Sequence, residues 1–182
     1  MRIDNDMGPF KPKPNDPALE LVGNKTPITL KNIKYSSRFS RETHLFQATI
    51  YMDGERAMKV DNDGRGGPNQ YYHTNGQSRE EFKRQFEQAI QIAADYAEEK
   101  TPTSYLLDEL VNDLMNEYFA LKQMRNKMKT NTLYYEPKEK AIFRFKQKPT
   151  PEALDYFRKE NPDVLFLNEL PEAEAYYYWR KI

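Results

Sequence analysis

The run Leu45-Phe46-Gln47-Ala48-Thr49-Ile50-Tyr51, followed by Met52-Asp53-Gly54-Glu55, constrains this chain more than any other stretch. Its composition predicts a strand, and Asp-Gly tolerates the positive φ angles that a two-residue type I′ turn demands. A return strand is expected from Arg56 to Asp61. Any fold for this chain must therefore hold an antiparallel hairpin with one face wet. Upstream, Ile28 and Leu30, then Ile33 and Tyr35, alternate with Thr29, Lys31 and Lys34. The phase shifts near Asn32, where a bulge fits. Gln70 to Thr74 reads as one more short strand, so residues 28–77 form a β-meander.

At Ser78 the period changes. Ser78 and Glu81 make a capping box, and the helix it opens is expected to run to about Lys100. Its apolar stripe is Phe82, Phe86, Ala89/Ile90, Ala93 and Ala97. Thr101-Pro102 starts a second helix reaching Lys129, about 40 Å at 1.5 Å per residue. Leu107, Leu110, Leu114, Leu121, Met124 and Met128 lie along it at near-heptad spacing, with a gap at Glu117. That stripe fits packing on the first helix; the alternative is a seam for a partner or a second copy. Alternation returns in Thr132–Glu136 and Ala141–Lys146 around Pro137-Lys138-Glu139-Lys140, a second hairpin. Thr150-Pro151-Glu152 caps a short helix stopped by Pro162, and Val164–Leu167 reads as a buried strand. The end, PEAEAYYYWRKI, fits a helix or a strand equally well.

The fold class is therefore α+β: an antiparallel sheet of hairpins packed by a long antiparallel helix pair, with a C-terminal β-hairpin/α/β element. Residues 28–182 read as a single domain, divided into 28–77, 78–130 and 131–182. Residues 1–27 hold five of the twelve prolines and no periodicity, and are expected to be an extended or disordered arm.

A chain of 182 residues can bury about 70% of the surface it would expose unfolded, so it needs no covalent staples. It has no cysteine, which excludes disulfides, thiolate nucleophiles and zinc sites built on sulfur. No apolar run approaches the roughly 18 residues of a membrane span, and MRIDNDMGPF lacks the pattern of a signal peptide. A cytoplasmic protein without a membrane partner is expected. Net charge is zero, but its distribution is polarised. From Asp95 to Glu117 seven acids accompany one lysine, and from Lys122 to Lys148 nine basic residues accompany two glutamates. Such asymmetry could steer a charged partner, or could be a long helix following its own dipole. Tyrosine is frequent, at 13, which suits either contact surfaces or ordinary strands.

The candidate site is DNDGRGGPNQYYH, residues 61–73. Gly64, Gly66 and Gly67 allow left-handed backbone and close approach of a ligand, and successive N–H groups could form an anion nest with Arg65 as a clamp. Asn62, Asn69 and His73 complete the candidate ligand-binding set. The pattern is neither a Walker loop nor a dinucleotide fingerprint, and Tyr72 stands where an EF-hand needs glutamate. Three readings stay open: a structural turn, an anion or nucleotide site, and a metal or catalytic site. His73 near Asp61 and Asp63 could act as a base, and His44 could meet it across the sheet to hold a metal. No Ser-His-Asp arrangement or H-E-x-x-H motif is present, so no catalytic residue, no metal ligand and no cofactor is assigned. Basic residues among aromatics, Lys31, Lys34, Tyr35, Arg38 and Arg41, then Tyr134, Tyr135, Arg144, Lys146 and Lys148, could hold a phosphate backbone and stack bases. On separate faces they are ordinary edge-strand charges.

The combination of strand, Asp53-Gly54 hairpin, strand, Asn62-x-Gly64-x-Gly66-Gly67 and Asn69, then two helices and the hairpin TLYYEPKEKAIFRF, resembles small uncharacterised proteins encoded by phages and prophages. It covers roughly residues 28–170. The resemblance implies a phage or mobile-element accessory protein, which would act in the host cytoplasm. The lack of any complete catalytic constellation, with polarised charge and many tyrosines, makes a non-enzymatic role the expectation. Its partner would be a host or phage macromolecule, a protein first, and counteracting a host defence is one role open to it. Alternatives are a binder of a small nucleotide or phosphate at the Gly-rich loop and a nucleic-acid binder. The oligomeric state stays open, and the resemblance transfers no catalytic residue.

Overall fold

The computed structural model describes residues 21–36 and 38–180. The chain divides into two compact units, one spanning Val22–Glu117 and the other taking the chain from Tyr118 onward. It is an α+β protein, with antiparallel strand pairs in both units.

The first unit begins with a short helix, α1 (Val22–Lys25), followed by a four-stranded antiparallel sheet in sequence order. Its strands are β1 (Ile28–Tyr35), β2 (Leu45–Met52), β3 (Glu55–Asp63) and β4 (Gln70–Tyr72). The Asp53-Gly54 turn has φ angles of 50° and 84°, the double positive that a type I′ hairpin needs. The phase shift at Asn32 is a register break between Lys31 and Lys34, with Asn32 at φ 55°. A second irregularity leaves Ala57 as an extra residue, because Tyr51 faces Arg56 while Ile50 faces Met58. Gln77 Nε2 donates to the Ala57 carbonyl at 2.9 Å, so the bulge carbonyl keeps a partner.

α2 (Arg79–Tyr96) starts where the sequence places it, with the Ser78 hydroxyl accepting the Glu81 N–H at 3.1 Å. It ends four residues earlier than the expected Lys100. Glu98 adopts φ 56°, and Glu99 N–H donates back to Ala94 O while Glu98 N–H donates to Asp95 O. This double closure normally marks itself with glycine at the left-handed position, and here a glutamate takes that place. α3 (Ser104–Thr130) begins after Pro102 rather than at it, because proline's fixed φ permits a helix without compelling one. Leu107, Leu110, Leu114, Leu121 and Met124 are all buried within the chain, so the near-heptad stripe is core and not a seam left open. Its gap is used: the Glu117 carboxylate accepts the N–H groups of Val22 at 2.6 Å and Gly23 at 3.2 Å. That caps α1, whose first N–H groups would otherwise lack partners. The arm expected over 1–27 lies outside the described residues as far as position 20, and Val22–Lys25 is helical rather than extended.

In the second unit the last part of α3 is followed by β5 (Thr132–Glu136) and β6 (Ala141–Phe145). Next come α4 (Pro151–Glu160), β7 (Leu165–Phe166), a 3-10 turn (Leu167–Glu169) and α5 (Glu172–Trp179). The sheet order is β6-β5-β7, all antiparallel. Thr150 caps α4 by accepting the Ala153 N–H at 3.3 Å. The strand expected over Val164–Leu167 is only two residues long before the 3-10 turn takes over. The ambiguous end is a helix, and Ala175, Tyr176, Tyr177 and Tyr178 are buried with Leu121, Met124, Leu133 and Leu167. Fully burying one such leucine is worth about 1.5–3 kcal/mol.

Candidate functional site

The Gly-rich stretch folds around one asparagine. Asn62, at the end of β3, is 5% exposed and uses both ends of its amide. Its Oδ1 accepts the Thr43 hydroxyl at 2.6 Å and the Gly64 N–H at 2.9 Å. Its Nδ2 donates to Gly67 O and Asn69 Oδ1, both at 3.0 Å. Arg65 N–H donates to Asp63 Oδ1 at 3.0 Å, so two Asx turns follow one another. Gly66 N–H donates to Thr43 Oγ1 at 3.2 Å. The N–H groups of Gly64, Arg65 and Gly66 are therefore committed to side-chain oxygens of the protein. They do not converge on an open space as an anion nest requires.

Glycine is demanded at Gly64 by conformation and by space. Its φ is 76°, and a Cβ there would lie 2.9 Å from Leu45 Cβ. The Gly64 carbonyl accepts N–H groups from Arg41 at 2.9 Å and Glu42 at 3.2 Å, which ties the β1–β2 connection to the loop. At Gly66, φ is 89° and a Cβ would meet the Glu42 carboxylate.

The loop also forms one wall of a groove. Gly66, Gly67, Pro68 and Asn69, with Thr43, face Tyr96, Ala97 and the start of α3 across a cavity of about 670 Å3. From α3 come Tyr105, Asp108, Glu109, Asn112 and Asp113. These positions follow i, i+3, i+4, i+7, i+8, one continuous stripe of a helix. No Lys or Arg is among the described residues that line the groove.

Its electrostatics are consistently negative. Burial pushes the Asp108 carboxyl above the ordinary carboxylate range, while hydrogen bonds from Tyr71 and Asn69 pull the other way. Tyr71 donates its hydroxyl to Asp108 Oδ1 at 2.6 Å, and burial, then Asp108, push that phenol far above its usual value. It stays a neutral donor. Burial and the like charge of Glu109 raise Asp113. Glu109 raises the Tyr105 hydroxyl, and burial followed by Asp113 and Glu117 raises Tyr96. A site of this sign attracts cations and repels phosphates.

The residues singled out from sequence are thus distributed rather than gathered. Gly66, Gly67 and Asn69 line the groove, while Asn62 and Gly64 build the loop behind it. Arg65 and His73 are not among its lining residues. His73 Nδ1 lies 3.2 Å from Thr74 O, and His44 Nε2 lies 3.2 Å from Asn116 Oδ1, so the two histidines are engaged with different partners. Among the described residues no group of three or more His, Asp or Glu is placed to hold a metal ion, and no helix is long and apolar enough to cross a membrane. Asp108, Glu109 and Asp113 were legible only as part of an acidic run that a helix dipole could explain. The dipole acts within the first turn, yet the first turn of α3 holds no acid. The five-residue stripe was the available signal.

Fold and groove together define an α+β protein with an acidic, tyrosine-walled cleft in its first unit. No protein-family model, no curated protein and no solved structure matches the chain.

Proposed function

We propose that this chain is a non-enzymatic accessory protein of the phage type its sequence resembles, acting in the host cytoplasm. Its groove takes a Lys- or Arg-bearing segment of a host or phage protein. One observation carries the reading: Asp108, Glu109 and Asp113 line a single cleft with the rings of Tyr96 and Tyr105 and, among the described residues, no basic side chain. Carboxylates pair with ammonium or guanidinium groups, and tyrosine faces accept the same cations. Tyr105 is 65% exposed, so its ring is available to an incoming side chain.

The same geometry weighs against a nucleotide at the Gly-rich loop. The loop amides are already bonded, and phosphate would enter a field of carboxylates. Titration calorimetry with an arginine-rich peptide is the test. Binding should be micromolar or tighter at low salt and weaken at least tenfold in Asp108→Asn/Asp113→Asn, tenfold being about 1.4 kcal/mol. A peptide that binds the double variant equally well sinks the proposal. A parallel thermal-shift panel of nucleotides would reinstate the phosphate reading if one nucleotide at 100 times its Kd raised stability by about 2.7 kcal/mol in the native protein and not in Arg65→Ala.

A further inference from the structure

The second unit carries a surface of opposite character. In β5 and β6, Leu133, Tyr135 and Ile142 belong to the face packed into the unit's core. Tyr134, Phe143 and Phe145 alternate with them and lie on the other face, with Phe166 of β7 paired beside Tyr134. This second face is covered in part by α4, and Phe166 on it is buried, but Phe143 at its edge is not. The face carries a column of rings. Phe143 stacks on Tyr134 at 5.5 Å and 21°, and Tyr134 on Phe145 at 5.0 Å and 22°. Phe145 stacks on Phe157 of α4 at 3.8 Å and 2°. Tyr156 meets Phe157 edge-on.

α4 closes the Phe145 end of the column and leaves the Phe143 end open. Phe143 is 40% exposed and Tyr156 is 62% exposed, so two of the larger exposed aromatics of the chain belong to this one assembly. The charge of the neighbouring segment is mostly basic: from Lys138 to Lys148 there are five basic residues and one acid, Glu139. Glu136 shares the face of Tyr134, whose hydroxyl is raised by burial and then by Glu136. Lys138 is held by Asp163 at 3.3 Å. Lys140, Lys146 and Lys148 are exposed, the last two in the segment that leads from Phe145 to α4. The acids of α4 are partly answered within the unit, since Arg158 bridges Asp155 and Glu169.

The geometry points to single-stranded nucleic acid as the occupant of this face. An unpaired base stacks on the open ring of Phe143 and extends the column, while Lys140, Lys146 and Lys148 hold the adjoining phosphates. Stacking of this kind is tolerant of sequence because every base has a π face. A duplex hides those faces inside its own stack, so single strands are preferred.

Fluorescence anisotropy with a labelled oligothymidylate, and with a duplex of equal length, tests the inference on the full chain. The single strand should bind more tightly than the duplex, and its affinity should fall steeply with salt. Phe143→Leu, which keeps an apolar side chain but removes the ring, should weaken binding about 5- to 150-fold without changing the salt slope. Lys146→Ala/Lys148→Ala should instead reduce the slope by about 0.7 for each phosphate no longer neutralised. Absence of single-strand binding at low salt, equal affinity for duplex, or full affinity in Phe143→Leu each overturns the inference. Competition by polyglutamate as effective as that by oligothymidylate would do the same, because it would mark the face as a general acidic-peptide surface.

Discussion

Between Asp95 and Glu117 seven acids accompany one lysine, and between Lys122 and Lys148 nine basic residues accompany two glutamates. The division between the compact units falls at Glu117/Tyr118, where the sign changes. Each unit also ties its irregular backbone to one asparagine. Asn62 joins the Gly-rich loop to the β1–β2 connection. Asn168 accepts the Leu133 N–H at 2.7 Å and donates to Met128 O at 3.0 Å and Asn131 O at 3.1 Å, closing the end of α3 onto β5. The two units solve a similar backbone problem alike and present opposite chemistry. The first offers a carboxylate-lined concavity, the second an aromatic sheet face with lysines in the adjoining turn and loop. A neutral total therefore conceals opposite imbalances of charge along the chain.

The comparison can be broken most forcefully through the cores. Ile50→Ala in the first unit and Leu133→Ala in the second should each destabilise by about 2–5 kcal/mol, since both side chains are buried. Denaturant unfolding followed by tryptophan fluorescence, from Trp179 in the second unit, would show whether the two losses are felt together. A Leu133→Ala effect on the fluorescence transition without an Ile50→Ala effect would mean that the units unfold separately.

The asparagines come next. Asn62→Ala strands the Thr43 hydroxyl, the Gly64 N–H, the Gly67 carbonyl and Asn69 Oδ1, so a loss of about 2–4 kcal/mol is expected from several unmade bonds. Asn168→Ala, where the residue is half-buried, should lose about 1–3 kcal/mol. Equal losses would remove the distinction between a buried loop hub and a more accessible helix closure.

Acidification sharpens the comparison of surfaces. Burial raises Asp108 and Asp113 above ordinary carboxylates, so the folded protein takes up their protons at a higher pH than the unfolded chain. Their contribution to stability therefore falls as pH rises through that window, and it is most favourable below it. Binding of a basic peptide runs the opposite way and weakens as pH falls through the raised values. Calorimetry across the acidic range should show that loss at a higher pH than an exposed carboxylate would give. In Asp108→Asn/Asp113→Asn the dependence should flatten.

The smallest effects concern helix ends. Glu98→Gly should stabilise α2 by about 1 kcal/mol, because glycine accepts the left-handed conformation at no steric cost. Arg125→Ala removes a two-point ion pair with Glu172, whose carboxyl that guanidinium holds below its usual range. Both partners are about half exposed, and a loss of no more than about 1 kcal/mol is expected by thermal unfolding.

Much of the fold was written locally. The Asp53-Gly54 hairpin, the Asn32 bulge, the Ser78 and Thr150 caps and the second hairpin all depend on residues within a few positions of one another. α2's end was hidden because Glu98 occupies a place usually marked by glycine. The terminal helix was hidden because Tyr176 to Tyr178 give no period. The site was legible only in part. The Gly-rich loop was visible, but the destination of its N–H groups depends on Thr43, which lies 23 residues before Gly66, and on side-chain rotamers that no spacing encodes.

The sequence alone determined the strands of the two hairpins, where those strands reverse and that charge is polarised along the chain, because turn chemistry and periodicity act over one or two turns of backbone. Tertiary structure alone decided that the N–H groups of Gly64, Arg65 and Gly66 bond to side-chain oxygens of the protein and that the outer wall of the loop faces carboxylates. It also decided that four aromatic rings from β5, β6 and α4 stack into one column. Those outcomes join residues such as Thr43, Gly66 and Asp113, or Phe143 and Phe157, whose proximity is fixed by packing rather than by spacing.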